Sequence, residues 1–124
     1  MRSDAAPAKA VVCRVGSHRF AVASGDVREV CTGEILVQMP GVALPVEGVI
    51  NLRGTLVTII RGSALMPEAG QETGGPSAWF VVLRYRDGRV GLGVDEVVDF
   101  AIPPAGVGFL HPDARLEPLF RRVG

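Results

Sequence analysis

Glycine and proline cut this chain into short pieces. Its 124 residues include 16 glycines and 9 prolines, spread from end to end. Both residues disfavour helix interiors, and both suit turns. The segments between them are short, apolar and rich in valine and isoleucine, which suit a pleated surface. Hydrophobic residues make up 48% and charged residues 21%. That is a globular composition in a chain of single-domain length, with enough apolar mass to bury a core. The pattern predicts an all-β fold of small barrels or a sandwich.

Taken in order, residues 1–10 read as a loose, polar N-terminal arm, and residues 11–124 as one domain. Val11, Cys13 and Val15 alternate with their neighbours, Gly16 opens a turn, and Phe20 and Val22 resume the alternation. Residues 25–32 fit one helical turn or a strand equally well. Residues 34–39 form a further extended run, and 40–45 a loop between two prolines. Residues 49–52 and 55–60 are strands flanking Arg53-Gly54, where a two-residue hairpin needs positive φ that glycine supplies. This places Arg53 at a hairpin tip, outside the core that its apolar neighbours build. A short helical turn over 63–66 leads into a glycine-rich surface loop. Residues 79–85 and Val90–Val94 pair through Asp87-Gly88, the strongest hairpin signal in the chain. Gly91 and Gly93 share one strand face and imply close backbone approach. Residues 97–102 form another strand, ended by Pro103-Pro104. In the tail, Leu116, Leu119 and Phe120 mark a single amphipathic turn.

Charge and side-chain chemistry exclude several functions. Thirteen basic and thirteen acidic residues cancel, which argues against a nucleic-acid partner. No apolar run reaches the roughly 18–20 residues that span a bilayer, and the N-terminus lacks the apolar core of a secretory signal. A cytoplasmic protein that does not insert into membranes is expected. Cys13 and Cys31 lack zinc-site spacing and read as reduced, buried thiols. His18 and His111 sit in turn and loop sequence, outside any nucleophile motif. Gly91-Leu92-Gly93 lacks the third glycine and the helix of a dinucleotide site. Asp95, Glu96 and Asp99 read as a solvated acidic face. No cofactor, metal or catalytic residue is expected. What remains is surface recognition, with Glu29 and Arg53 as charges embedded in apolar stretches.

These stretches carry a resemblance. GVINLRGTLVTII resembles the central signature of CheW-like domains, in which N-L-R-G precedes an apolar strand. VVCRVGSHRFAVASGDVREV is similar to the family's opening, which leads into V-x-E-V, and VGLGVDEVVDF to a later strand with V-D-x-V. The order and spacing agree over residues 11–100. The resemblance implies two small SH3-like five-stranded barrels packed together and no enzymatic activity. It implies a scaffold that couples a chemotaxis-type histidine kinase, through its regulatory domain, to chemoreceptor cytoplasmic tips. Carried over by motif, Arg53 is the docking arginine and Glu29 the acid that pairs with it. Val27 contributes to the partner surface, and Asn51 and Gly54 shape the hairpin. The alternative is a diverged CheW-like module outside the receptor–kinase array, pairing with itself or another regulatory protein.

The sequence also departs from the family. Arg61 stands where an aspartate is usual, and Gly62 where a leucine is, which predicts a weak following helix. Cys13 replaces a larger apolar residue. The chain reaches its end near the start of the family's closing segment. This predicts a second barrel that is incomplete, or one closed by residues 105–124 or by a partner chain, since an unpaired edge exposes backbone donors and acceptors.

Overall fold

The computed structural model of the protein describes residues 9–36, 46–65 and 77–123. Residues 1–8 of the expected arm, residues 37–39 of the 34–39 run, the 40–45 loop and residues 66–76 of the glycine-rich loop lie outside them; residues 34–36 of that run are not in a strand.

Among the described residues the fold is mostly β, in two sheets. The first has four strands in the order β8-β1-β2-β9: β1 (Ala10–Val15), β2 (His18–Ala23), β8 (Glu96–Ala101) and β9 (Gly108–Phe109). The second has five, in the order β3-β6-β7-β5-β4: β3 (Val27–Cys31), β4 (Val46–Leu52), β5 (Thr55–Arg61), β6 (Trp79–Leu83) and β7 (Val90–Val94). One barrel thus has the expected five strands and the other has four. The smaller sheet is built from both ends of the chain. The 105–124 segment supplies β9, which pairs with β2 in parallel through Phe20↔Gly108 and Ala21↔Phe109.

Strand alternation divides the core. On β6, Val81 and Leu83 face a cluster shared with Val11, Val15, Phe20 and Val22 of the first sheet. Phe80 and Val82 face the other way, onto Ile50, Val57 and Ile59. The five-stranded sheet is therefore buried on both faces, which is why its strands read as continuous apolar runs.

Glycines sit where backbones meet. A Cβ on Gly93 would lie 2.5 Å from Glu47 Oε1, and one on Gly91 3.1 Å from Ile59 Cδ1. The bare Gly93 makes room for a buried carboxylate: Glu47 accepts hydrogen bonds from the Ser77 amide (2.7 Å) and hydroxyl (2.6 Å). Gly62 opens α1 (Gly62–Leu65), a helical turn that forms despite the missing leucine. A Cβ there would lie 2.6 Å from the Gly93 carbonyl oxygen, so glycine lets this turn press Leu65 into the core.

Several local expectations need correction. The ambiguous 25–32 segment is both things: a 3₁₀ turn at Ser24–Asp26, then β3. The strand before the NLRG turn starts at Val46, earlier than expected, with a register shift beside Glu47. The Asp87-Gly88 hairpin exists, but residues 84–89 connect its strands, with positive φ at Arg86, Asp87 and Gly88. Two contacts widen it. The Arg84 amide bonds to the Asp26 carbonyl (3.0 Å), and the Arg86 guanidinium lies 4.6 Å from the centroid of the Phe120 ring. Of the two thiols only Cys13 is fully buried, and burial pushes it up to about 12; Cys31 is half-buried. The single turn expected near Leu116 is a longer helix, α2 (Pro112–Val123).

Candidate functional site

The NLRG stretch folds as a two-residue hairpin between β4 and β5, closed by the Leu52↔Thr55 pair. Gly54 has φ +91 and Arg53 has φ +51. Asn51 Oδ1 accepts the Gly54 amide at 2.8 Å and fixes the turn. Glycine carries such a φ without a Cβ clash. Arginine does not, so its presence at the tip comes at a steric cost.

The guanidinium has a definite destination. Arg53 Nη2 lies 2.5 Å from Glu29 Oε1, and Nη1 lies 3.3 Å from Oε2, a two-point fork on one carboxylate. Glu29 sits on β3, and β3 and β4 are the two edges of the five-stranded sheet. The sheet curls until its edges approach. The Glu29–Arg53 pair and a hydrogen bond from the Leu36 amide to the Val49 carbonyl (2.8 Å) span the seam. The pair thus clasps a barrel edge that would otherwise be open.

The arginine fork holds the Glu29 carboxyl below the usual carboxylate range, chiefly through its hydrogen bonds. A lowered folded-state value stabilises the clasp above the ordinary carboxylate range, and that contribution is lost as pH falls through the lowered value. In Arg53→Gln the Glu29 titration midpoint is expected to rise towards the ordinary range. Carboxyl carbon shifts followed through an acid titration measure it, and an unchanged midpoint would remove the arginine as its cause.

Glu29 also lines a groove of about 350 Å³ where the two sheets meet. Its walls are Val27 and Val30 from β3, Val11 from β1, and Val97 and Phe100 from β8, with Arg28 and Glu29 as the charged members. Val27 is nearly buried, whereas Phe100 is 55% exposed. Of the five residues singled out in the sequence, Val27 and Glu29 therefore line the groove. Arg53 is joined to it through Glu29, and Asn51 and Gly54 hold the turn that presents Arg53. Sequence reasoning missed Val11, Val97 and Phe100, since only the packing of β1 and β8 beside β3 makes them neighbours; it also passed over Arg28, between Val27 and Glu29 on β3.

His111 stacks with Phe109 at 6.5 Å between ring centroids. Among the described residues no three His, Cys, Asp or Glu side chains are grouped to hold a metal. No helix among them is long and apolar enough to cross a membrane.

A family model described as CheW-like domain matches residues 9–105. The chain belongs to the CheW-like domain family. Among solved structures it is similar to scaffolding protein TtCheW from Thermoanaerobacter tengcongensis. That match has a TM-score of 0.66 and 21% identity, and covers 85% of this chain and 69% of the other. At that identity the likeness speaks to fold, and it identifies the two sheets as the paired SH3-like barrels of CheW proteins. A search of curated proteins gave no match. Within the CheW-like frame, the clasp joins the family's NLRG signature to its V-x-E-V strand.

Proposed function

We propose that this chain is a non-enzymatic signalling scaffold of the cytoplasm, coupling a chemotaxis-type histidine kinase to chemoreceptors. Membership of the CheW-like family supports the class of function. The observation that carries the reading is the connection of a mostly apolar groove to the signature hairpin. Glu29 lines the groove and grips Arg53, so occupancy of the groove and position of the hairpin are mechanically joined. A receptor tip seated in the groove and a kinase regulatory domain docked beside the hairpin then share one rigid element. No step in this role makes or breaks a covalent bond. The chain acts by holding two partners in register.

Phe100→Ser tests the receptor half. Phe100 is exposed, so its loss spares the core, yet it removes most of one apolar wall. Calorimetry against a soluble receptor cytoplasmic fragment should show binding weaker by roughly tenfold or more, as when an aromatic anchor is removed. Unchanged affinity would take the groove out of receptor binding. A second reading, a module pairing with itself or another regulatory protein, is favoured by the outer strand β8, where Val98 and Phe100 stand exposed. A concentration-dependent dimer in sedimentation, lost in Phe100→Ser, would support that reading.

A further inference from the structure

The residue beside Glu29 opens a separate question. Arg28 is left over where β3 shifts register against β6, between Val27↔Leu83 and Glu29↔Val82. Its side chain folds onto the 84–89 turn. There Gly88 makes room for it: a Cβ on Gly88 would lie 2.8 Å from Arg28 Cδ and closer still to the guanidinium. The only hydrogen bond holding that guanidinium among the described residues is long, 3.4 Å from Nη1 to the Asp87 carbonyl. Most of its donors are therefore uncommitted.

Arg84 and Arg89 flank the same turn. They stand at its two ends, beyond the last paired residues Val82↔Gly91 of β6 and β7. Both side chains are exposed, and neither makes an ion pair among the described residues. Asp26 and Asp87 meet this cluster through their backbone carbonyls, and Glu29, which also feels the charge of Arg28, is hydrogen-bonded to Arg53. Arg86 is turned away, onto the rings of Tyr85 and Phe120. In a chain of zero net charge, three guanidiniums with no ion pair among the described residues gather around one turn.

We propose that Arg28, Arg84 and Arg89 form a docking face for a carboxylate-rich protein segment, reaching the groove at Arg28. Each guanidinium offers a planar fork that matches a carboxylate. A glutamate- or aspartate-rich segment crossing the turn would pair with Arg84 and Arg89 and occupy the spare donors of Arg28. The patch is too small for duplex nucleic acid, whose binders neutralise roughly 6–10 phosphates.

The test is a titration of isotope-labelled protein with a synthetic oligoglutamate peptide, followed by amide and arginine side-chain resonances. Shifts confined to Arg28 and residues 84–89, weakening with added salt, are expected. Arg84→Gln/Arg89→Gln should bind roughly five- to tenfold more weakly. Its thermal midpoint should match that of wild type, because both side chains are exposed. Phe100→Ser should bind the peptide normally. The proposal is overturned by shifts centred elsewhere, by no shifts, by equal binding of the double variant, or by a DNA duplex competing the peptide off. Neither kinase nor receptor enters the titration, so it stands or falls apart from the scaffold reading.

Discussion

If the proposed scaffold role holds, Arg53→Glu will bind the kinase regulatory domain at least about tenfold more weakly than wild type, because it sets two like charges together beside the proposed docking surface. The reversal places a carboxylate against Glu29, the present partner of Arg53 at 2.5 Å. The attraction that ties the hairpin tip to β3 becomes a repulsion, so the tip is no longer held in place, and the Leu36–Val49 hydrogen bond is left to hold the seam. Paired variants separate these effects. The swap Glu29→Arg/Arg53→Glu restores an attractive pair across the seam but puts the wrong charge at the tip. If Arg53 only clasps the barrel, the swap recovers binding. If Arg53 also touches the kinase, as the resemblance implies, the swap stays weak. Calorimetric titration of the three proteins gives the answer, with circular dichroism to establish that each is folded. Binding of Arg53→Glu equal to that of wild type would remove the residue from both roles.

Leu116→Ala will lower unfolding stability by about 2–5 kcal/mol, the range for deleting a fully buried leucine side chain. Leu116 is 0% exposed and belongs to the cluster that unites the two sheets, alongside Leu83, Leu92 and Leu110. The helix around it is also tied at its polar positions. Tyr85 Oη donates to Glu117 Oε1 at 2.6 Å, and Arg115 donates to the Leu65 carbonyl. The 105–124 segment is thus integral to the core. Urea titration with a shared slope measures the loss. A change below about 0.5 kcal/mol, typical of a surface site, would mean that α2 does not pack as described.

That helix also shows where sequence reasoning stops. Pro118 stands inside it, at a cost of about 3 kcal/mol by propensity alone. Local pattern therefore argues for one amphipathic turn. Burial of Leu116 and the bonds from Tyr85 and Arg115 outweigh that cost, and none of them is visible in the local sequence. The β6–β7 connection is similar: Asp87-Gly88 announced a hairpin, but contacts from Asp26 and Phe120 set its width. The strands themselves were legible, because Val57, Ile59 and Ile60, or Phe80 through Leu83, obey the period of two on both faces. The Arg53 turn was legible because Arg-Gly between two β-branched runs leaves few conformations. The groove was not. It arises where β1 and β8 of one sheet lie beside β3 of the other, and no local signal brings Val11, Val97 and Phe100 to Val27.

The most direct test of the scaffold account is a reconstitution. The kinase regulatory domain and a soluble receptor cytoplasmic fragment are mixed with and without this chain, and the species formed are resolved by sedimentation velocity. The account predicts a ternary complex that forms only when the chain is present, and that Arg53→Glu fails to assemble. Binding to neither partner by a folded wild-type protein would contradict it.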